Sequence, residues 1–332
     1  MTAARYSVAA IGNAIVDIMG YCDDDFLAKH CAPKGSMRLV DAEAVQTLYS
    51  EMGPGLEISG GSAANTVVGV ASFGGKTAFI GKVAGDEFGR IFRHDISAAG
   101  VTFETAPVNG KAPTSRSLIL VTPDGERTMN TFLGISTDLD HGEVDAAVIE
   151  GADVVYLEGY LFDQPQAKAA FRQAVALAKK AGRTVALTLS DGFCVDRHRT
   201  EFLELIKSGV GILFANESEI TSLYETTSFD EAARRAARDT RLAVLTRSAK
   251  GSLILSDGKA HEIPVEPVAK VVDTTGAGDL YAAGFLYGFT SGCDLPTAGH
   301  LGSLAAAEII SHLGARPQTN LAELALSRGF IF

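Results

Sequence analysis

Runs of apolar and β-branched residues alternate with segments of helical spacing along most of the chain. Runs of this length and composition are typical of strands that are buried on both faces. Their alternation with helical segments predicts parallel β-α-β units under helical cover. The predicted strands are residues 7–12, 77–83, 153–159, 184–190, 212–216 and 242–246. The predicted helices are residues 62–73, 86–99, 165–181, 197–208, 229–239, 278–291 and 295–312.

One region breaks this alternation. Residues 114–132 have the pattern of two alternating strands joined by the turn Pro123-Asp124-Gly125, and such a turn favours a hairpin. A hairpin inserted in a parallel-sheet protein is often a lid over a binding site, although an edge hairpin without function would show the same pattern. Since no linker, repeat or low-complexity segment interrupts the chain, we expect a single α/β domain over residues 1–332 with a small β appendage.

Composition and charge narrow the function classes. The 332 residues are 46% hydrophobic and 21% charged, as in an ordinary globular protein. No apolar run approaches the roughly 20 residues of a membrane helix, and the N-terminus lacks the features of a secretion signal, so we expect a cytoplasmic protein. The net charge of −11 disfavours nucleic-acid binding. The four cysteines are scattered, without the spacing of metal ligands.

The strongest chemical signal is the run DTTGAGD at residues 273–279, where a strand ends and an apolar helix begins. Open parallel sheets bind ligands at such positions. Gly276 and Gly278 permit backbone angles and close approaches that a Cβ would block, so successive N–H groups can face one anion at the positive end of the helix. Asp279 would repel a phosphate, but it fits the role of a base for an alcohol that attacks one. A plain turn whose aspartate complements the helix dipole is the alternative.

A second cluster of glycines lies at residues 58–75. Gly60 and Gly61 precede a helix that carries Asn65 among small and apolar residues. Asparagine is a poor helix former, and its amide can bind hydroxyls in a polar cleft. We therefore expect Asn65, Gly61 and the backbone N–H of Ser62 to contact a substrate; a capped helix with a surface asparagine is the alternative.

Asn13 and Asp17 follow the first predicted strand, at another carboxyl end. A carboxylate accepts two hydrogen bonds and so recognises vicinal hydroxyls, although both residue types are also common in turns.

The known sequence motifs for nucleotide binding are missing. Residues 69–77 resemble a P-loop, but Val70 replaces its first glycine, and no G-x-G-x-x-G occurs. A dinucleotide-binding fold is therefore disfavoured.

Three motifs together resemble those of a known family. Residues 60–89, GGSAANTVVGVASFGGKTAFIGKVAGDEFG, are similar to the first signature of the ribokinase, or PfkB, carbohydrate kinases, residues 273–285 to the second, and NESE at 216–219 to the N-x-x-E element. The resemblance covers nearly the whole chain. It implies a ribokinase-like α/β fold, in which a mostly parallel sheet is flanked by helices and a small β lid is formed by residues near 13–40 and 102–133. It also implies ATP-dependent phosphorylation of a hydroxymethyl group.

Carried over position by position, the resemblance implies catalytic roles. Asp279 would be the general base. Arg127 resembles the lid arginine that covers the transferred phosphate in adenosine-kinase-like members. The anion hole for this phosphate would be the backbone of Gly276, Ala277 and Gly278.

The resemblance also implies sites for ATP and metal ions. Asn216 and Glu219 would organise Mg²⁺ and its waters near the phosphates, since Mg²⁺ prefers oxygen ligands and keeps part of its hydration shell. Asn216 and Gly278 would also contact ATP, and the other residues expected there are Thr246, Arg247 and Gly251. The positions that hold a monovalent cation in many relatives match Asp273, Thr275 and Gly314. Dependence on K⁺ is thus an expectation that the sequence leaves open.

Four segments favour a nucleoside over a simple sugar. Residues 22–48 and 125–136 resemble adenosine kinases, as do residues 156–163 together with 188–195. The reaction would then be phosphorylation of the 5′-hydroxyl of adenosine or a related ribonucleoside by ATP. The expected substrate contacts are Asn13, Asp17, Gly61, Ser62, Asn65 and Tyr160. A kinase for ribose, fructose or a keto-deoxy sugar acid is the alternative.

Two other classes compete with a kinase. A catalytically silent binding protein on this scaffold would be expected to lack the base or the glycines, and here Asp279, Gly276 and Gly278 are intact. A dehydrogenase is disfavoured because its fingerprint is missing. The expected partners are therefore ATP and a small-molecule substrate, with no nucleic acid and no membrane. A monomer and a homodimer both remain open.

Overall fold

The computed structural model describes residues 4–331, and its fourteen strands form two sheets. Residues 1–3 and 332, which the single-domain prediction includes, lie outside the described residues. The strands of the larger sheet are β1 (Tyr6–Ile11), β5 (Thr77–Ile80), β6 (Val101–Thr102), β9 (Ala152–Glu158), β10 (Thr184–Thr188), β11 (Ile212–Asn216), β12 (Leu242–Thr246), β13 (Ser252–Ser256) and β14 (Lys259–Ile263). Their order is β14-β13-β12-β11-β10-β9-β1-β5-β6, and all pairs from β12 to β6 are parallel. The predicted mostly parallel sheet is confirmed.

The larger sheet is buried on both faces. Alternate residues of β1 point to opposite sides, so Val8 and Ala10 belong to one apolar layer and Ala9 and Ile11 to the other. All four side chains are inaccessible to solvent. Parallel strands with two apolar faces require helices on each side, and the sequence supplies them.

Helices form one layer on each face of this sheet. The first layer contains α3 (Ser62–Ser72), α4 (Glu87–Ala98), α10 (Ala277–Thr290), α11 (Leu295–Ile309) and α12 (Leu321–Ser327). The second contains α5 (Ala146–Glu150), α6 (Pro165–Lys180), α7 (Gly192–Gly209), α8 (Glu217–Leu223) and α9 (Phe229–Asp239). None of the helices within residues 4–331 combines the length and apolar character that a membrane crossing requires.

The smaller sheet contains the predicted hairpin. Its strands, in the order β3-β8-β7-β2-β4, are β3 (Met37–Leu39), β8 (Arg127–Phe132), β7 (Ser115–Val121), β2 (Ile15–Tyr21) and β4 (Gly55–Gly60). One face, which includes Val16, Ile18, Leu118 and Leu120, is buried in the same core cluster as residues of the helices α1 (Asp24–Lys29) and α2 (Ala42–Glu51). β4 lies outside the segments predicted for a lid, and the role of this sheet as a lid stays a prediction.

Some predicted boundaries differ from the structure. The helix predicted over 197–208 begins earlier, at Gly192, because the side chain of Asp191 caps it by accepting a hydrogen bond from Cys194 N at 2.7 Å. This helix bends at His198, where φ is −123° and ψ is 22°. The short antiparallel strands β13 and β14 were not predicted, because their alternation is brief and their pairing is set by the neighbouring β12.

Candidate active site

The turn at Gly276 leads directly into α10. Gly276 has φ of 77°, in the left-handed region, and a Cβ there would lie 2.9 Å from that of Ala315, so the turn requires glycine. No side chain caps α10, and a Cβ added to Gly278 would meet no atom within 4 Å. The Ala277 N–H already donates to the Thr274 carbonyl at 3.2 Å, so an anion would share this donor. The helix start thus offers positive potential beside open space.

Asp279 lies in the first turn of α10 and contacts the start of α3. Its Oδ1 accepts a hydrogen bond from Ser62 Oγ at 2.6 Å, and its Oδ2 accepts one from Asn65 Nδ2 at 3.0 Å. Removal from water raises the pKa of the carboxyl group, while these two hydrogen bonds act in the opposite direction. A carboxylate with a raised pKa beside an anion-binding helix start can accept a proton from an alcohol. The structure therefore brings Ser62 and Asn65 to the predicted base, and their substrate contacts stay predictions.

Asp17 and Arg316 interact electrostatically with each other and with Asp279. Removal from water raises the pKa of Asp17 to about 7, with the charge of Arg316 opposing this shift and that of Asp279 adding to it. Arg316 donates to the carbonyl oxygens of Ser59 and Ala64, at 2.7 and 2.8 Å. Its pKa is lowered to about 10 because the side chain is removed from water. Arg316 is the cation that faces both carboxylates.

Glu158 anchors the loop after β1 to the start of α3. Its side chain is buried, and it accepts hydrogen bonds from Asn13 Nδ2 at 2.8 Å and from the Ala63 N–H at 2.8 Å. Burial raises its pKa to about 7. Asn13 is also buried, and its Oδ1 accepts from Ser136 Oγ at 2.8 Å. The amide of Asn13 is thus engaged within the protein, and its predicted contact with substrate stays a prediction.

The two glycines before α3 are explained by close packing. A Cβ on Gly60 would lie 2.1 Å from Asp17 Oδ2, and one on Gly61 would lie 2.2 Å from the Asn13 carbonyl oxygen. α3, like α10, begins without a side-chain cap. Gly60 therefore allows the end of β4 to approach Asp17, and Gly61 allows the start of α3 to approach Asn13. The direct substrate contact predicted for Gly61 stays a prediction.

Asn216 and Glu219 form a capping box at the start of α8. The Asn216 N–H and Nδ2 donate to the two oxygens of Glu219, at 2.9 and 2.6 Å, and Asn216 Oδ1 accepts from the Glu219 N–H at 2.8 Å. Burial raises the pKa of Glu219 to about 7. Among residues 4–331, no group of three or more His, Cys, Asp or Glu side chains could hold a metal ion. The single carboxylate of Glu219 would suit Mg²⁺, which takes most of its ligands from phosphate and water and needs few from the protein.

The residues predicted for ATP lie at the end of β12. Arg247 Nε donates to Glu217 Oε2 at 3.4 Å, and its guanidinium lies 4.1 Å from the ring centre of Phe229. Gly251 has φ of 82°, and a Cβ there would lie 2.0 Å from the Ile263 carbonyl oxygen, so its identity is explained by the turn. Thr246 pairs with Asn216 across β11 and β12. ATP contacts of these residues stay predictions.

Arg127 reaches from β8 to Asp273. Its guanidinium donates to both carboxylate oxygens, and Nη1 also donates to Thr275 Oγ1 at 2.9 Å. The Gly314 N–H donates to Asp273 Oδ2 at 3.0 Å. The structure therefore joins the predicted phosphate-covering arginine to the three residues predicted for K⁺. That Arg127 covers a phosphate stays a prediction.

Tyr160 lies between β9 and α6 and is 37% exposed. Its backbone N–H donates to Ser190 Oγ at 3.3 Å. Removal from water raises the pKa of its hydroxyl well above the ordinary value, and Asp191, Asp279 and Glu219 add to this shift. The ring is therefore near the carboxylates of the site while part of its surface stays accessible, and its contact with a base stays a prediction.

Two residues of the site were missed from the sequence. Glu158 lies in the segment 156–163, where the sequence analysis considered only the aromatic residues. Arg316 lies just after Gly314, which the resemblance assigns to the cation site. Glu158 had one signal, since a carboxylate at the end of a buried strand rarely stays buried without a polar task. Arg316 had no comparable local signal.

Comparisons with known proteins identify the family of the chain. The model of the pfkB family carbohydrate kinases matches residues 52–321. A probable sugar kinase from Rhizobium etli CFN 42 has 50% identity and a TM-score of 0.92, over 99% of this chain and 100% of that one. The adenosine kinase from Sinorhizobium meliloti has 51% identity and a TM-score of 0.91, over 98% and 100%. The adenosine kinase from Saccharomyces cerevisiae is 26% identical over an alignment of 330 positions that covers 92% of this chain and 95% of the yeast protein.

The family match spans well over half of the chain, and the relatives are full-length matches that are named as kinases. The fold is ribokinase-like, as predicted, and the enzyme is a phosphotransferase with an alcohol group as acceptor. ATP is the phosphoryl donor in this family, typically with Mg²⁺. The chain therefore belongs to the pfkB family of carbohydrate kinases.

Proposed function

We propose that this kinase transfers the γ-phosphoryl group of ATP to the 5′-hydroxyl of adenosine or a related ribonucleoside. The observation that carries the proposal is the inner face of the smaller sheet, meaning the face that includes Asp17 and Arg127. Directly paired residues share one face of a sheet. By the strand registers, the apolar and aromatic members of the inner face are Ile15, Met19, Tyr21, Met37, Leu39, Leu56, Ile58, Ile119, Val121 and Met129.

The polar members of this face are Asp17, Ser115, Ser117, Thr131 and Arg127. Asp17 pairs with Ser117, which pairs with Thr131, and the hydroxyl oxygens of Ser117 and Thr131 lie 2.9 Å apart. Leu39 and Leu56 are 58% and 65% exposed, although apolar side chains gain free energy from burial. These two residues lie on the opposite edge strands β3 and β4, so a flat purine would cover only one part of this apolar surface, while a hexose would need polar groups in its place. The inner face thus supports a substrate with one hydroxyl-rich part and one apolar part.

The proposed reaction uses the groups around Asp279. The 5′-hydroxyl would lie against Asp279, which accepts its proton as the oxygen attacks the γ-phosphorus. The uncapped start of α10 would stabilise the negative charge on the transferred group. Asp17, held beside Arg316, would accept hydrogen bonds from the two ribose hydroxyls.

Mg²⁺ would be held by the ATP phosphates and by water that Glu219 orients, and it would neutralise phosphate charge. The pairing of Glu219 with Asn216 leaves the carboxylate fixed in direction, which suits an outer contact through water. Asn216 therefore acts through Glu219 in this proposal.

The test is ADP release with Mg²⁺-ATP and a panel of adenosine, guanosine, inosine, cytidine, ribose, fructose and 2-keto-3-deoxygluconate. We expect kcat/KM for a purine nucleoside to exceed that for the free sugars by about 100-fold or more, because an apolar surface and a hydroxyl site both contribute. 5′-Deoxyadenosine should inhibit without being phosphorylated. Faster turnover of a free sugar would instead favour a sugar kinase, which is what the Rhizobium relative is named.

A variant pair tests the inner face directly. Leu56→Gln should raise KM for adenosine several-fold, by about 1 kcal/mol of lost apolar contact, and should leave kcat unchanged. Leu326→Gln is the matched control, because Leu326 is similarly exposed, at 58%, but lies in α12. Equal KM values for the two variants would remove the inner face from the substrate site.

A further inference from the structure

The expected K⁺ site does not fit a potassium ion in this structure. The side chain of Asp273 has no solvent exposure. Its Oδ1 accepts hydrogen bonds from the Thr275 N–H, at 2.6 Å, and from Arg127 Nη2. Its Oδ2 accepts from the Gly314 N–H, at 3.0 Å, and from Arg127 Nη1. A carboxylate oxygen has two lone pairs, so neither oxygen keeps one for a metal ion.

The second predicted ligand is engaged by the same guanidinium. Arg127 Nη1 donates to Thr275 Oγ1 at 2.9 Å. A guanidinium presents parallel donors that match the two oxygens of a carboxylate, and it stays charged at every ordinary pH. Arg127 therefore contacts every side-chain oxygen of Asp273 and Thr275 that was expected to face a metal ion.

Electrostatics explains why a cation is needed here. A buried carboxylate without a compensating charge is strongly unfavourable. The side chain of Arg127 is only 14% exposed, so its charge acts on Asp273 with little screening by water. A second monovalent cation at Asp273 would be repelled by the guanidinium at short range.

Arg127 also joins two parts of the fold. It is the first residue of β8 in the smaller sheet, whereas Asp273 and Thr275 lead directly into Gly276. The ion pair therefore attaches the inner face of the smaller sheet to the backbone that enters the anion-binding turn. It places a positive charge next to that turn.

We propose that the Arg127 guanidinium takes the place of a monovalent cation beside the anion-binding turn, so that this kinase works without K⁺. The part of the inference that concerns turnover rests on the proposed function. The part that concerns ion binding does not, and it is tested on the protein without substrates.

The first experiment compares KCl with tetramethylammonium chloride at constant ionic strength. For the unmodified protein without substrates, we expect the same melting temperature in both salts and no saturable binding of Tl⁺, a K⁺ mimic, by calorimetry. With ATP and adenosine we expect the same kcat in both salts. Saturable Tl⁺ binding, or a melting temperature that rises with K⁺ alone, would overturn the inference even if adenosine is not the substrate.

The second experiment removes the guanidinium. Arg127→Ala should lower kcat by about 100-fold, as expected when a charge near the transferred phosphate is lost. KCl or guanidinium chloride should restore part of this loss and should raise the melting temperature of the variant. A folded Arg127→Ala protein that responds to neither salt would contradict the inference.

Two further variants serve as controls. Arg127→Lys keeps a positive charge, so its kcat and its melting temperature should stay insensitive to K⁺. This variant provides the test if Arg127→Ala does not fold. Arg38→Ala removes another arginine of the smaller sheet, one that donates to Asn130 and to the carbonyl oxygens of His30 and Cys31. Its response to K⁺ should match that of the unmodified protein, and acquired K⁺ activation in Arg38→Ala would show a general effect of sheet damage and overturn the assignment to Arg127.

Discussion

Two helices that pack against each other, α10 and α11, begin in opposite ways. α11 is capped by Asp294, whose side chain accepts a hydrogen bond from Thr297 N at 2.8 Å. α10 follows a left-handed glycine, Gly276, and no side chain caps it. A cap satisfies the free N–H groups of a helix start with the protein's own oxygen, whereas an uncapped start leaves them for a ligand. Under the proposed function, this difference separates a structural helix start from the one that binds phosphate.

A related contrast distinguishes α3 from α4. α4 is capped by Asp86, whose Oδ1 accepts from the Gly89 N–H at 2.8 Å, while Gly61 before α3 supplies no cap and the Ala63 N–H donates to the distant Glu158 instead. The starts of α3 and α10 meet at Asp279, which bonds to Ser62 and Asn65. Two aspartates near helix starts, Asp279 and Asp294, thus have different tasks, and their substitution should separate catalysis from stability.

The largest expected effect is that of Asp279→Asn. The amide cannot accept the proton of the attacking hydroxyl, so kcat should fall by about 10²–10⁴-fold while the melting temperature changes little. Steady-state kinetics with ATP and adenosine measure this. Asp294→Asn is the matched control, because asparagine caps helices as well as aspartate does, and its kcat should stay unchanged. Near-full turnover of Asp279→Asn would remove the base from the account.

The next effect is that of Gly276→Ala. A left-handed φ disfavours alanine, and its Cβ would meet Ala315 at 2.9 Å, so the turn must shift and kcat should fall by about 10-fold or more. Gly292→Ala provides the comparison, since Gly292 has φ of 81° and a Cβ there would meet no atom within 4 Å. It should lose about 1 kcal/mol of stability and no activity. Equal kcat losses would show that backbone strain alone, not the anion turn, explains the effect.

Acid should affect activity and stability in opposite directions. The pKa of Asp279 is raised, so kcat/KM should fall as the pH drops through that pKa.

The pKa of Glu158 is raised from 4.5 to about 7, so the folded state binds a proton that the unfolded chain has released. The contribution of this group to stability should therefore be greatest below about pH 4.5, decrease as the pH rises to about 7, with about 1 kcal/mol lost between pH 6 and 7, and level off above that. Glu158→Gln should flatten the change, as measured by urea unfolding, and an unchanged slope would contradict the raised pKa.

The smallest effect is expected for Asp294→Ala. Loss of the cap should lower the unfolding free energy slightly, because the first N–H groups of α11 lose their acceptor. The pKa of Asp294 is lowered by its hydrogen bonds with Thr297, as expected for a cap that works as an ion. Urea unfolding measures the loss, and kcat should not change. A clear fall in kcat would show that α11 influences the site through α10 and would weaken the separation of structural and functional helix starts.

Local pattern was sufficient to predict the parallel sheet, whereas the family resemblance supplied the expectation that Asp17, Ser62, Asn65 and Asp279 belong to one site. Asp17 follows the first predicted strand, and the carboxyl ends of parallel strands share one edge of a sheet. The strand expected to end at residue 273 is absent, because β14 ends at Ile263 and residues 264–274 form an irregular connection to the Gly276 turn. The hairpin of β7 and β8 was predictable because its turn residues fix it locally.

Long-range contacts explain what sequence could not predict. Arg127 and Asp273 are 146 positions apart, and Arg316 and Ser59 are 257 apart. No periodicity relates such positions, so their pairing depends on how the two sheets pack. The buried task of Glu158 is equally hidden, because its partners Asn13 and Ala63 come from two other elements.

A crystal structure with adenosine, ADP and aluminium fluoride, which mimics the transferred phosphoryl group, would test the roles of Asp279 and of the Gly276 turn together. We expect the fluoride against the backbone of Gly276 to Gly278, the 5′-hydroxyl within hydrogen-bond distance of Asp279, and the purine on the inner face of the smaller sheet. A fluoride bound elsewhere, or a 5′-hydroxyl out of reach of Asp279, would contradict these roles.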